Sequence, residues 1–173
     1  MISVRVMTEA DIAAVSAIRV AGWRAAYAGV VPRSYLDAMT VETDAEQHRR
    51  RYTRSPGGVI DLVAVDDRSD VVGWACLGPS RGTEASPATG ELYALYVSPA
   101  LIGTGIGRAL LDAVHTHAAA GGLSAVLLWV IKDNPRARRF YEVAGYAADG
   151  ATEADDYDGV PVYEVRYRRA VRE

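Results

Sequence analysis

Three glycines alternate in Val97-Ser98-Pro99-Ala100-Leu101-Ile102-Gly103-Thr104-Gly105-Ile106-Gly107-Arg108, where an apolar run that reads as a strand meets the start of a helical pattern. Without Cβ atoms, Gly103, Gly105 and Gly107 let backbone N–H groups turn inward and approach a ligand closely. The first N–H groups of a helix lack partners, and the helix dipole adds partial positive charge there. The chemistry on offer is capture of a phosphate. A dinucleotide loop would need a glycine where Arg108 stands, and the Gly-Lys-Ser/Thr of a P-loop is absent. A tight strand-to-helix turn without a ligand is the other reading of the same three glycines.

The rest of the chain supplies the elements that must position this loop. Ile2–Val6 alternates as a strand, and Thr8 caps a helix with Asp11 in capping-box position, one methylene short of the preferred Glu. Ile12, Val15, Ile18 and Val20 give that helix its apolar stripe until Gly29 ends it near Tyr27. Pro32 opens a short helix to Met39, and a polar helix over about Glu42–Thr53 stops at Ser55-Pro56-Gly57-Gly58. Val59–Val65 and Val71–Leu77 then form a hairpin around the polar turn Asp66–Asp70. A Gly/Pro/Ser-rich loop spans Gly78–Gly90, and Glu91–Val97 is the strand that enters the glycine cluster. The following helix, Gly105 to about Ala120, carries Ile106, Ala109, Leu110, Ala113, Val114 and His117 on one side. Ser124–Ile131 is nearly all apolar, as for a strand covered on both faces. Asn134–Ala144 is a helix stopped by Gly145, and Tyr146–Ala151 and Val160–Arg168 are final strands joined by an acidic loop, Glu153–Asp158. The order β-α-α, three antiparallel strands, then α-β-α-β-β predicts one mixed α/β domain over residues 1–173.

Composition narrows the function. Half of the 173 residues are hydrophobic, 24% are charged and the formal net charge is -3, which argues against a general electrostatic grip on nucleic acid or anionic lipid. The chain begins without a signal-peptide pattern and its apolar runs fall short of a membrane helix, so the expectation is a cytoplasmic protein with no membrane or nucleic-acid partner. Cys76 is the one cysteine, excluding an internal disulfide and a multi-thiolate metal site, and its apolar neighbours read as a core strand. His115 and His117 point in different directions on a helix, so no metal is expected.

With Ala109-Leu110-Leu111 beyond it, the glycine loop resembles the pyrophosphate motif of the GNAT (GCN5-related N-acetyltransferase) superfamily, Gln/Arg-x-x-Gly-x-Gly/Ala, with Ile102 standing at the Gln/Arg position. Asn134-Pro135-Arg136-Ala137-Arg138-Arg139-Phe140-Tyr141-Glu142-Val143-Ala144-Gly145-Tyr146 resembles the family's second segment, Asn-x-x-Ala-x-x-x-Tyr-x-x-x-Gly-Phe. The resemblance spans the chain and implies the GNAT acyl-CoA N-acyltransferase fold, a bent mixed sheet with acetyl-CoA between its splayed fourth and fifth strands. It implies direct N-acetyl transfer to a primary amine, with a non-catalytic acyl-CoA sensor or an enzyme acting on protein or peptide amines as alternatives. Ile102, Gly103, Thr104, Gly105, Ile106, Gly107 and Arg108 would hold the pyrophosphate, and Leu95, Tyr96 and Val97 the pantetheine and thioester. Asn134, a good N-cap in its own right, and Ala137 would also meet the coenzyme. Glu91, otherwise a solvated strand-end carboxylate, would be the general base. Tyr141, otherwise a core aromatic, would be the general acid on sulfur. Trp23 and Tyr27, four apart on one helix face, lie where the family covers its acceptor, and Tyr93 and Trp129 would line the same pocket. The acceptor is expected to be a small molecule, and a homodimer is implied by the family alone.

Overall fold

A computed structural model describes residues 1–54, 57–82 and 85–172. The chain runs β1 (Ser3–Val6), α1 (Ile12–Ala26), α2 (Arg33–Ala38), α3 (Val41–Thr53), β2 (Ile60–Val65), β3 (Val71–Pro79) and β4 (Thr89–Val97). It continues α4 (Ile106–Ala120), β5 (Ala125–Ile131), α5 (Pro135–Val143), β6 (Ala147–Tyr157) and β7 (Val160–Ala170). The strands form one sheet in the order β1-β2-β3-β4-β5-β7-β6, antiparallel throughout except for the parallel β4–β5 pair. Three helices separate β1 from β2, among them the short α2 that follows Pro32. The Ser55-Pro56 part of the expected helix stop, and residues 83 and 84 of the Gly78–Gly90 loop, lie outside the described residues. Among the described residues no helix is long and apolar enough to cross a membrane.

Helices cover both faces of the sheet, which is why its central strands carry few polar residues. Leu62, Ala64, Leu128 and Val130 pack with Leu110, Leu111 and Val114 of α4 on one face. Val63, Val65, Trp74 and Cys76 pack with Ile12 and Val15 of α1 and Ala45 of α3 on the other. A third cluster joins Trp23, Val31 and Leu36 to Ile131 and Val162, closing the α1–α2 corner over the ends of β5 and β7. Cys76 is 8% exposed, as expected of a core thiol. His117 is exposed, and Leu111 and Ala118 complete the buried side of α4 in its place.

The acidic segment expected as a loop is strand. β6 runs unbroken through Glu153, Asp155 and Asp156 to Tyr157, and the turn is the following pair, Asp158-Gly159. Both turn residues have positive φ, 51° and 84°, the backbone of a tight two-residue hairpin, which an Asp-Gly pair adopts readily. β6 is an edge strand with almost every residue exposed, so no apolar alternation marks it in the sequence.

The Thr8–Asp11 capping box is present. The Thr8 N–H donates to Asp11 Oδ2 at 2.8 Å, and the Arg5 guanidinium donates to both Asp11 oxygens at 2.7 and 2.9 Å. The Arg5 hydrogen bonds, more than the Thr8 N–H and the Arg5 charge, hold the Asp11 carboxyl down to about 2 from an ordinary 3.8. A depressed carboxyl stabilises the fold above its ordinary value and loses that contribution as pH falls. Arg5 is 44% exposed, so solvent weakens the pair. Asp11→Asn is therefore expected to lower unfolding stability by about 1–2 kcal/mol at pH 7, the difference from wild type shrinking between pH 4 and 2 in denaturant titrations.

Candidate functional site

The sheet opens where its one parallel pair stops. β4 pairs with β5 from Thr89↔Ala125 to Leu92↔Leu128. Beyond that point β4 stays with β3 as far as Val97, and β5 stays with β7 as far as Ile131, so the two strands diverge. A cleft of about 1350 Å³ follows the opening. Its lining includes Leu95, Tyr96 and Val97 on one side and Trp129, Val130 and Ile131 on the other.

At the wide end stand the glycines. Gly103 and Gly105 have φ of +85° and +94°, and Gly105 is the N-cap of α4, so the chain turns sharply into the helix, whose first N–H groups lack helical partners. Ile102, Gly103, Gly105, Gly107 and Arg108 line the cleft. Thr104 and Ile106 turn elsewhere. The Thr104 hydroxyl donates to the Leu101 carbonyl at 2.6 Å, while Ile106 is 2% exposed and packs on β3, where a Cβ at Gly73 would lie 3.0 Å from it. Any contribution of these two residues to a ligand comes from backbone.

β4 carries a bulge at the point of divergence. Cys76 pairs with Ala94 and Leu77 with Leu92, leaving Tyr93 as the extra residue. Tyr93 and Ala94 thereby both reach the α1–α3 side of the sheet. Glu91, on the same strand, is 2% exposed and held by a residue that the sequence did not single out. The Arg81 backbone N–H donates to Glu91 Oε1 at 3.0 Å, and its guanidinium donates to Oε2 at 2.7 and 3.2 Å. The same guanidinium sits 4.1 Å from the Tyr93 ring centroid, and the Tyr93 hydroxyl donates to the Pro79 carbonyl. Glu91 is thus a clamped carboxylate, not a solvated strand end. The Arg81 side chain is 66% exposed and is the solvent-facing part of the clamp.

α5 brings Tyr141, Asn134 and Ala137 to the cleft. Asn134 caps this helix, its side-chain oxygen accepting from the Ala137 N–H at 3.2 Å. Tyr141 packs edge-on against Phe140 and Tyr146, with centroids 5.2 and 5.8 Å apart. Burial first, then the neighbouring Tyr96 and Tyr146, raises its phenol well above the ordinary value, so it stays protonated at neutral pH. Of the nearby arginines, Arg136 lines the cleft beside Gly103, whereas Arg138 donates to the Tyr167 hydroxyl and the Lys132 carbonyl.

The far end of the cleft is aromatic and acidic. Trp23 meets Tyr27 edge-on at 4.8 Å and lies 5.8 Å from Tyr157, and its Nε1 donates to the Tyr96 hydroxyl at 2.8 Å. Trp23 is only 8% exposed, so most of it is packing, while Tyr27, Tyr93 and Trp129 also line the cleft. Glu153, Asp155 and Glu164 enter from β6 and β7, with one oxygen of each within 4.8 Å of the others. Glu164 was not among the sequence candidates. Its signal is a charged residue at an inward position of β7, two after the buried Val162.

The arrangement offers backbone donors for a pyrophosphate, an open strand edge for an extended amide-bearing arm, a protonated phenol and a carboxylate-lined end. A profile of the Acetyltransferase (GNAT) family matches residues 23–146. An uncharacterized N-acetyltransferase of Bacillus subtilis, YuaI, is 33% identical over 135 residues, covering 78% of this chain and 75% of that protein. The mycothiol acetyltransferase of Kocuria rhizophila is 37% identical over 105 residues, 60% of this chain but 34% of the relative, so the match spans about a third of that longer protein. The structure of a GNAT superfamily phosphinothricin acetyltransferase from Sinorhizobium meliloti in complex with AcCoA superposes with a TM-score of 0.76 at 23% identity, covering 98% and 88% of the two chains.

Proposed function

Because the chain belongs to the acetyltransferase (GNAT) family, we propose that its cleft takes acetyl-CoA and a small primary amine together and moves the acetyl group directly from sulfur to nitrogen. The observation that carries this reading is the divergence of β4 from β5 directly below the Gly103–Gly107 loop, with Tyr141 on the wall between them. The loop and α4 N-terminus hold the pyrophosphate. The exposed backbone of Leu95–Val97 pairs with the pantetheine amides and polarises the thioester carbonyl. Ile102 offers no polar side chain to this loop, so the backbone donors carry the affinity.

The amine nitrogen attacks the carbonyl carbon, forming the C–N bond, and the tetrahedral adduct collapses as the C–S bond breaks. Tyr141 gives the sulfur a proton. Glu91 takes a proton from the adduct nitrogen once the Arg81 guanidinium swings aside. An acetyl-enzyme is disfavoured by Cys76, the single cysteine: burial, and after it the nearby Asp61, pushes its thiol far above the range in which a nucleophilic thiolate forms. The aromatic corner of Trp23, Tyr27, Tyr35 and Tyr157 over the far end favours a small acceptor over an extended peptide.

Titration calorimetry with acetyl-CoA tests the reading, followed by assay of thiol release with a panel of primary amines. Binding in the micromolar range and amine-dependent thiol release are expected. A folded protein that binds no acetyl-CoA would remove the proposal.

A further inference from the structure

An alkyl ammonium loses two protons on its way to an amide, one before nitrogen can attack and one from the tetrahedral adduct. In the transfer proposed above, Glu91 receives the second, and Tyr141 supplies the proton that sulfur needs. Neither accounts for the first. Resting on that reading, we propose that Glu164 is a further catalytic residue, the base that takes the first proton from the incoming ammonium at the β6–β7 end of the cleft.

The geometry places it there. Glu164 lies opposite Ile131 on β5 and opposite Glu153 on β6, so its side chain shares the α1-facing side of the sheet with Ile131, where Trp23 and Tyr27 pack. It lines the same cleft as Tyr141, Trp129 and Tyr93. Tyr27 faces it from α1, Tyr157 from β6, and the hydroxyls of Tyr96 and Tyr141 stand near Tyr27 from β4 and α5. Its charged neighbours on the sheet are Glu153 and Asp155. Arg166, the next residue on its side of β7, is turned to Asp149 at 2.6 Å and to the Trp129 ring. Among the described residues no ion pair joins Glu164 to a cation, in contrast to Glu91 under Arg81. An entering ammonium supplies the missing positive charge, and the three carboxylates draw it to this end.

The electrostatics suit the task. Desolvation first, then a hydrogen bond with Glu153 and the charges of Asp155 and Glu153, raise Glu164 from 4.5 to about 7. A base is most effective with its pKa near the working pH, since it must be both ionised and strong enough to accept the proton. An ordinary carboxylate near 4 is about six powers of ten weaker than an amine near 10, and a base at about 7 halves that gap on the logarithmic scale. The balance closes. R–NH3⁺ and Glu164 carboxylate give R–NH2 and Glu164 carboxylic acid; after transfer that acid returns its proton to solvent, and the proton taken by Glu91 restores the Tyr141 phenol. Overall, ammonium and thioester become amide, thiol and one released proton.

The test compares two amines, phenethylamine, an ammonium at neutral pH, and 4-methylaniline, already neutral. In wild type, kcat/KM for phenethylamine should rise with pH through about 7 as Glu164 ionises. Glu164→Gln should lower that value about a hundredfold at pH 7 and replace the bend near 7 with a rise that continues toward the amine's own value of about 10, while leaving 4-methylaniline turnover little changed. Glu153→Gln should move the bend to lower pH by removing a neighbouring negative charge. Equal losses for both amines, or a bend near 7 that persists in Glu164→Gln, would overturn the assignment. If neither amine turns over, a ¹³C carboxyl titration of Glu164 decides. A midpoint near 7 that falls in Glu153→Gln supports the base, and an ordinary carboxylate midpoint overturns it. Acetyl-CoA calorimetry separates the two levels, because Glu164→Gln should bind acetyl-CoA as wild type does, whereas loss of binding in wild type would sink the transfer reaction itself.

Discussion

Tyr141→Phe is expected to lower kcat by about a hundredfold or more with acetyl-CoA binding retained, since removing a positioned acid generally loses that much. The substitution deletes one oxygen and keeps the ring that packs against Phe140 and Tyr146, so the fold should be undisturbed. The lost hydroxyl is the protonated phenol on the cleft wall, its proton firmly held because burial disfavours the phenolate. A thiolate leaving without that donor departs as a bare anion beside apolar side chains, where charge is most costly. Steady-state thiol release and calorimetry on the same preparations give the answer. Unchanged turnover would strip Tyr141 of its role and leave it a packing residue.

The Gly105→Asp, Gly107→Asp double variant should weaken acetyl-CoA binding by more than about a hundredfold, since like charges brought together across an interface cost several kcal/mol. The two positions fail for different reasons. Nothing lies within 4 Å of a Cβ at Gly105, but its φ of +94° is strained for any other residue. A Cβ at Gly107 would make ordinary contact with the Phe140 ring at 3.4 Å and Val97 at 3.6 Å, so the side chain fits and the loss there comes from its charge. Both place negative charge at the proposed pyrophosphate site, where the helix dipole and free N–H groups favour an anion. Calorimetry on a variant whose circular dichroism matches wild type would show whether binding survives. If it does, the phosphates are held elsewhere.

Local features were legible in the sequence because local rules produce them. The glycine alternation fixes a strand-to-helix turn, Thr8 and Asp11 cap within three residues, and Asn134 caps α5. The apolar run over β5 announces burial on both faces. What was not legible depends on register. Arg81 and Glu91 meet because β3 and β4 pair as far as Pro79↔Gly90, with a one-residue shift at Cys76/Leu77 that no single-strand pattern reveals. Glu164 meets Glu153 and Ile131 through two ladders at once. The acidic half of β6 reads as a loop because an exposed edge strand has no buried face to impose periodicity, and its one local signal, Asp158-Gly159, lies at its end. Fold and glycine turn are thus readable along the chain, while the partners of the acids appear only across it.

The short β4–β5 pairing also has a mechanical meaning. Four register pairs join a plate of β1–β4 to a plate of β5–β7, and above them the plates part like the jaws of a split plank. A coenzyme arm lying in the split, bonded along the open edge of Leu95–Val97, would act as a splint across the seam. Because it grips only the folded form, its concentration becomes a term in the protein's own endurance. The rigidity of the C-terminal plate, and of the acids it carries, would then rise and fall with the supply of the donor.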